Sequence, residues 1–229
     1  MVRYLAVLSH CYTMVVREWG WTDDTPMRKV SKPKEPPGRV RFLSEDERAH
    51  LLAACRESRN PFLYPIVVLA LSTGMRRSEI MNLTWDRVDF GCGVITLQTG
   101  TTKNNEARAV PLVVHAAEVL RELATVRRID TALLFPAPHA EGASPRPNDI
   151  QSAWDAALKR AQIESFRFHD LRHTAASYLA MNGATLAEIA EVLGHKTLAM
   201  VKRYARLTEA HTSRVVERMN RAVFGNSMG

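Results

Sequence analysis

Cysteine is scarce: Cys11, Cys55 and Cys92 are the only three, far apart and odd in number. No CxxC pair or zinc spacing exists among them. That excludes a disulfide framework and a cysteine-built metal site, and it points to reduced thiols in a cytoplasmic compartment. Long hydrophobic runs are missing too, since nothing reaches the roughly 20 apolar residues of a membrane span. Tyr4 to Val16 imitates a signal-peptide core, but Ser9 and His10 interrupt it and its apolar residues keep a helical period. It reads as an amphipathic helix. The chain also lacks a P-loop, a convincing carboxylate cluster, low-complexity tracts and internal repeats. These absences argue against a membrane protein, a P-loop ATPase and a solenoid.

What remains is a basic chain of 229 residues, 46% apolar, with a net charge of +7 and a pI near 9.6. The length suits one good-sized domain, or one domain plus a fragment of another. Surplus Lys and Arg suit a polyanionic partner, because they neutralise phosphates and release counterions. A merely solvated positive face gives the same composition.

Leu5, Leu8, Tyr12, Val15, Val16 and Trp19 recur at three- and four-residue steps, one stripe of a helix. Residues 22–39 follow, with Pro26, Pro33, Pro36 and Pro37, a composition that forbids regular structure and reads as a linker. A single helix cannot bury its own stripe. Residues 1–21 are therefore expected to be the last helix of a mostly missing N-terminal domain, and 40–229 the main domain.

In the main domain, Ser44 and Glu47 form a capping box for a helix through Cys55. Asn60-Pro61 opens the next helix and Thr73-Gly74 ends it; a short one carries Arg76 to Leu83. Trp85 to Phe90, Val94 to Gln98 and Ala107 to Pro111 read as strands, the last two joined by a polar turn. Helices are expected at about Pro111 to Arg127, Pro147 to Ala161, His169 to Met181, Leu186 to Leu193, Leu198 to Ala205 and Glu209 to Val223. The fold class is mainly α with a small antiparallel β-sheet (α+β).

Four islands carry chemistry: Thr73-Gly74-Met75-Arg76-Arg77-Ser78-Glu79, Thr102-Lys103-Asn104-Asn105, His169-Asp170-Leu171-Arg172-His173-Thr174, and Leu193-Gly194-His195 followed by Tyr204. Breaking a phosphodiester needs a nucleophile, stabilisation of a phosphorane with extra negative charge, and a proton for the leaving oxygen. Two arginines suit the second task, because a guanidinium stays charged and grips two oxygens in a planar fork. Arg76 and Arg172 are the candidates, both expected in helix N-terminal turns that also favour anions. Histidines hydrogen-bond the same oxygens or move protons near neutral pH.

Together the islands resemble the tyrosine site-specific recombinase (phage integrase) family, over about Val40 to Asn220. The resemblance implies that family's catalytic-domain fold. It implies that Tyr204 attacks phosphorus to give a 3′-phosphotyrosine, that Arg76 and Arg172 grip the phosphate oxygens, that His169 and His195 hydrogen-bond the same oxygens or move protons, and that Lys103 protonates the leaving 5′-oxygen. Glu79, one turn beyond Arg76, would support that arginine by an ion pair. No cofactor is implied: the ester conserves the bond energy, so ATP is unnecessary, and the built-in positive charge removes the need for Mg²⁺. Double-stranded DNA is the implied partner, with a homo-oligomer, a tetramer on two duplexes, in the synaptic complex. The C-terminal helix docks either on its own chain or on a neighbour.

Other readings compete. His169 and His173 lie one turn apart like a zinc pair, but the adjacent Arg172 would repel a metal, so His173 is read as structural. Arg77 reads as a surface arginine; Tyr64 and Tyr178 read as core tyrosines. Leu186 to His195 followed by Leu198 to Tyr204 resembles a helix-turn-helix, which would bind DNA without cutting it. That reading leaves Arg76, Lys103, His169 and Arg172 without a purpose. A type IB topoisomerase-like enzyme would share the chemistry without strand exchange.

Overall fold

The computed structural model describes residues 2–31, 33, 41–97, 107–138, 144–195, 197–205, 216–217 and 219–225. The chain divides into two compact units, Met1–Arg39 and Val40–Gly229.

In the first unit, α1 (Val2–Met14) runs into a π-helical turn, Val15–Trp19, closed by Gly20 in the left-handed region at φ 61°. Thr25 caps a 3-10 turn, Pro26–Lys29, by accepting a hydrogen bond from the Met27 N–H at 3.2 Å. The expectation that composition forbids regular structure here fails over this turn. Pro26 presets its φ and Thr25 satisfies a free N–H. No described residue of this unit is buried.

The second unit opens with α2 (Glu45–Arg56), whose capping box is as expected: the Glu47 N–H donates to Ser44 Oγ, and the Ser44 N–H donates to the Glu47 carboxylate. Asn60 Oδ1 accepts from the Phe62 N–H at 3.0 Å, so Asn60-Pro61 belongs to the turn before α3 (Leu63–Thr73) rather than to the helix. Nearly every side chain of α3 is buried, because it packs against α2, α5 (Val114–Thr125) and α7 (Asp170–Met181). A helix apolar on all sides belongs at the centre of a core. Short α4 (Arg77–Met81) follows.

The sheet is β1 (Val88–Asp89), β2 (Val94–Leu97) and β3 (Arg108–Pro111), antiparallel in that order. Leu97 pairs with Arg108 at the described end of the β2–β3 hairpin. Trp85–Arg87 forms a 3-10 turn instead of extending β1. Residues 83–85 bond to residues 132–134 instead, with the Trp85 N–H on the Ala132 carbonyl at 2.9 Å. α6 (Gln151–Arg160) packs on α2, and α8 (Leu186–Leu193) packs on α7.

One large apolar cluster runs from Leu43 to Leu171 in sequence and draws on α2 to α6, the start of α7 and the sheet. A smaller cluster contains Ala176, Ala180, Ile189, Ala190, Leu193, Val201 and Tyr204. The helix expected over Leu198 to Ala205 is instead two 3-10 turns, Leu198–Met200 and Lys202–Tyr204. Side chains three apart eclipse in a 3-10 turn. Val201 and Tyr204 can therefore both enter the small cluster, where they are 0% and 2% exposed. Residues 216–217 and 219–224 are helical, while the expected start of that helix lies outside the described residues. Among the described residues no helix is long and apolar enough to cross a membrane.

Candidate active site

Arg76 sits at the N-cap of α4. Its Nη1 meets Glu79 Oε1 at 2.7 Å, and its backbone N–H donates to Oε2 at 2.9 Å. Arg108, the first residue of β3, brings Nη2 to the same Oε2 at 2.9 Å. The Glu79 side chain is fully buried, and each arginine side chain is only 14% exposed. One carboxylate thus anchors two guanidinium groups.

A third guanidinium enters from α7. Arg172 is buried, with Nη1 donating to the Gly74 carbonyl at 2.5 Å and Nη2 to the Leu193 carbonyl. These carbonyls close α3 and α8, so the cation rests on the negative ends of two helices. Among the described residues its other three N–H donors meet no partner and are left for an anion. Burial, then Arg76 and Arg108, lowers its pKa to about 9.

Gly74 and Gly194 make this approach possible. Both hold positive φ, 61° and 62°. A Cβ at Gly74 would stand 2.5 Å from Leu193 Cδ2, and one at Gly194 would stand 1.9 Å from Arg108 Nη1. Gly194 closes α8 in a Schellman motif, with its N–H on Glu191 O and the His195 N–H on Ala190 O at 2.8 Å. That motif presents His195 beside the arginines.

Tyr204 approaches from the small cluster. Its hydroxyl lies 2.5 Å from Nδ1 of His173, and His173 stands edge-to-face with His169 at 5.3 Å between ring centroids. Burial raises the phenol's pKa, against the opposing pull of Arg203 and Arg172. The histidines move the other way. His173 falls to about 4 through burial and then His169. His195 falls to about 4 through burial and then Arg172. His169, the more exposed, is lowered by partial desolvation and then Arg172. The pocket therefore holds neutral imidazoles and a protonated phenol beside fixed guanidinium charge. Such a site is organised for an anion before one arrives. Nδ1 of His195 and Nε of Arg108 are buried and meet no hydrogen-bonding partner among the described residues.

The structure brings Arg76, Glu79, Arg172, His169, His195 and Tyr204 into one electrostatic neighbourhood. Lys103 lies outside the described residues. Two residues of this arrangement were not read as site residues. Arg108 carries a weak signal: it shares strand parity with buried Val110, and a cation at an inward register is unusual. His173, read as structural, faces the Tyr204 hydroxyl instead. Tyr64 and Tyr178, read as core, are only partly buried, under Arg56 and Arg48. The helix-turn-helix reading fails because α8 is followed by 3-10 turns rather than a recognition helix.

Comparison with known proteins agrees with this geometry. Residues 41–211 match the model of the phage integrase family. The integrase of Salmonella phage P22 is 36% identical over 98% of this chain and 58% of its own length. The shufflon-specific DNA recombinase of Escherichia coli is 35% identical over 89% of this chain and 50% of its own length. This chain thus spans about half the length of these relatives. Among solved structures, the catalytic domain of bacteriophage HP1 integrase superposes with a TM-score of 0.60 at 32% identity, covering 81% of this chain and 98% of that domain. On this match, the chain belongs to the phage integrase family.

Proposed function

We propose that this chain cuts and rejoins DNA by transesterification through Tyr204, within site-specific recombination or integration. The observation that supports the reading is the buried Tyr204 hydroxyl, set against His173 of α7 and close to Arg172, in a pocket where Arg76, Arg108 and Arg172 outnumber Glu79. In this reading Arg76 and Arg172 grip the non-bridging oxygens, and the gain is largest when extra charge develops at the phosphorane. His169 and His195, being neutral, can donate an N–H to the same oxygens. Lys103 protonates the leaving 5′-oxygen. The phosphotyrosine conserves the bond energy, so neither ATP nor Mg²⁺ takes part, and activity persists in EDTA.

Double-stranded DNA is the proposed partner; the name of the E. coli relative points the same way. Strand exchange takes a homo-oligomer, a tetramer across two duplexes, and the cytoplasm is the proposed compartment. Residues 1–21 are read as the closing helix of a further helical domain, and 22–39 as a linker.

The test works without a defined target site. A pool of nicked duplexes with randomised sequence is incubated with the chain, and DNA bound covalently is recovered after denaturation in detergent. Wild type should enrich a 3′-linked adduct and Tyr204→Phe should give none. Adduct from the Phe variant at the wild-type rate removes Tyr204 from its role. On the enriched sequence, Arg172→Lys should cleave roughly a hundredfold more slowly, since an ammonium lacks the fork. Lys103→Ala should recover on a substrate with sulfur at the 5′-bridging position, which leaves without protonation.

A further inference from the structure

The proposed chemistry leaves the proton on the nucleophile unaccounted for. Tyr204 must shed it as the oxygen–phosphorus bond forms, yet burial holds the phenol above its ordinary range. Water has little access to this group, because Tyr204 is 2% exposed. Among the described residues, the hydroxyl's hydrogen-bonding partner is Nδ1 of His173, at 2.5 Å.

Building on the function proposed above, we propose that His173 is a catalytic residue: its Nδ1 holds the Tyr204 hydroxyl and takes its proton as the phenol oxygen attacks phosphorus. The step balances. The Oη–H and P–O5′ bonds break while the Nδ1–H and Oη–P bonds form. The departing 5′-oxygen is protonated by the ammonium assigned to that task. Rejoining runs the same events backward, and the His173 imidazolium returns its proton to the phenol oxygen. Acceptance at Nδ1 requires the tautomer with hydrogen on Nε2.

The surroundings gate this base. His169, Arg172 and Asp170 face His173 from α7 and its N-cap, and Arg203 faces it from the 3-10 turn. Of these, His169, Arg172 and Arg203 disfavour the imidazolium and Asp170 favours it. A phosphate diester docked on the arginines offsets their charge and makes His173 more basic. The nucleophile thus loses its proton readily only when there is phosphorus to attack. The position also explains the histidine immediately after Arg172. On α7 the two neighbours point about 100° apart, one toward the phosphate pocket and the other toward the tyrosine.

The test is single-turnover adduct formation at saturating DNA, using the enriched nicked duplex, with DNA affinity and thermal stability measured alongside. His173→Ala should slow the step roughly a hundredfold or more with affinity unchanged, in the range of a lost general base. His173→Asn guards against misfolding: its side-chain oxygen replaces Nδ1 as acceptor but cannot keep a proton. It should remain slow at neutral pH, with a rate that climbs with pH as hydroxide takes over, whereas wild type is flat there. If His173→Ala cleaves within about threefold of wild type, or His173→Asn matches both the wild-type rate and its flat profile, proton acceptance by His173 is wrong. If wild type itself forms no adduct, the proposed function fails and this role falls with it. Adduct from wild type together with fast His173 variants sinks this role alone.

Discussion

The two sides of the pocket are built differently. Arg76, Glu79 and Arg108 rest on α4 and β3, whose inward residues Ile80 and Val110 belong to the large cluster. Tyr204 and His195 depend on α8 and two 3-10 turns over a cluster of seven buried residues. The first side is held by a buried ion-pair network. The second hangs on turns with poorer hydrogen-bond geometry and little apolar burial, which places it toward the low-stability end of the domain. Of the guanidinium groups proposed to grip phosphate, Arg76 is thus fixed on the firm side and Arg172 is anchored on both, through the Gly74 and Leu193 carbonyls, while the proposed nucleophile is carried on the softer one. A reaction that must attack, let go and attack again suits that division.

The firm side breaks most completely at Glu79. Glu79→Ala leaves the guanidinium groups of Arg76 and Arg108 nearly buried without their shared counter-charge. Losing one partner of a buried pair costs about 3–5 kcal/mol, read as a shifted midpoint in urea. A loss below about 1 kcal/mol would mean that the arginines find other partners, and that the two sides are equally soft.

Gly194→Ala tests the joint between the sides. A non-glycine residue in the left-handed region costs roughly 1–2 kcal/mol, and the new methyl would collide with Arg108 Nη1. Stability should fall by about that amount, and cleavage should fall further, because Arg108 leaves Glu79 and His195 moves with the turn. Stability and cleavage falling in proportion would show that the joint matters only for folding.

The firm side was also the more legible in the sequence. Ser44 with Glu47, Thr73-Gly74 and the apolar run of α3 announce their elements locally, since capping and periodicity act over a few residues. Arg76 and Arg172 were readable because a motif places them at helix N-termini. The soft side is legible only in part: Leu186 to Leu193 and the Gly194 cap are as expected, but the segment after them is not. Leu198 to Ala205 has helical composition, yet burial of Val201 and Tyr204 on one face selects 3-10 turns. Arg108 and the true partner of His173 depend on contacts between residues 29 and 31 positions apart, which no local pattern encodes.

Acid should act on the soft side first. His173 and His195 titrate near 4 in the fold and near 6.5 when unfolded. Between those values the unfolded chain binds protons that the folded chain refuses. The stability contribution is therefore complete above about pH 6.5 and drains away as pH falls toward 4. Discounted for solvent screening, each histidine should account for about 1–2 kcal/mol, or a few degrees in Tm. His195→Asn should remove its share of the slope. An unchanged slope in that variant would place the acid sensitivity elsewhere.

The smallest effect is expected at Arg77, and its sequence neighbour makes it informative. Arg76 points into the pocket; Arg77 points outward, with its side chain 40% exposed, 3.5 Å from Asp149 and 3.1 Å from Gln151 Oε1. A pair this long and this wet is worth about 0.5 kcal/mol or less, so Arg77→Ala should leave the urea midpoint almost unmoved. Its guanidinium lies on the α4 and α6 surface beside the pocket. If the bound duplex runs across that surface, Arg77 trades Asp149 for a phosphate. Removing it would then weaken DNA binding to every sequence alike and flatten the salt dependence by roughly one unit of slope, with the cleavage rate at saturating DNA unchanged. A full salt slope in Arg77→Ala would mean that the duplex does not reach this surface. A cleavage loss as deep as that of Arg76→Ala would show that the firm side extends beyond the Glu79 network.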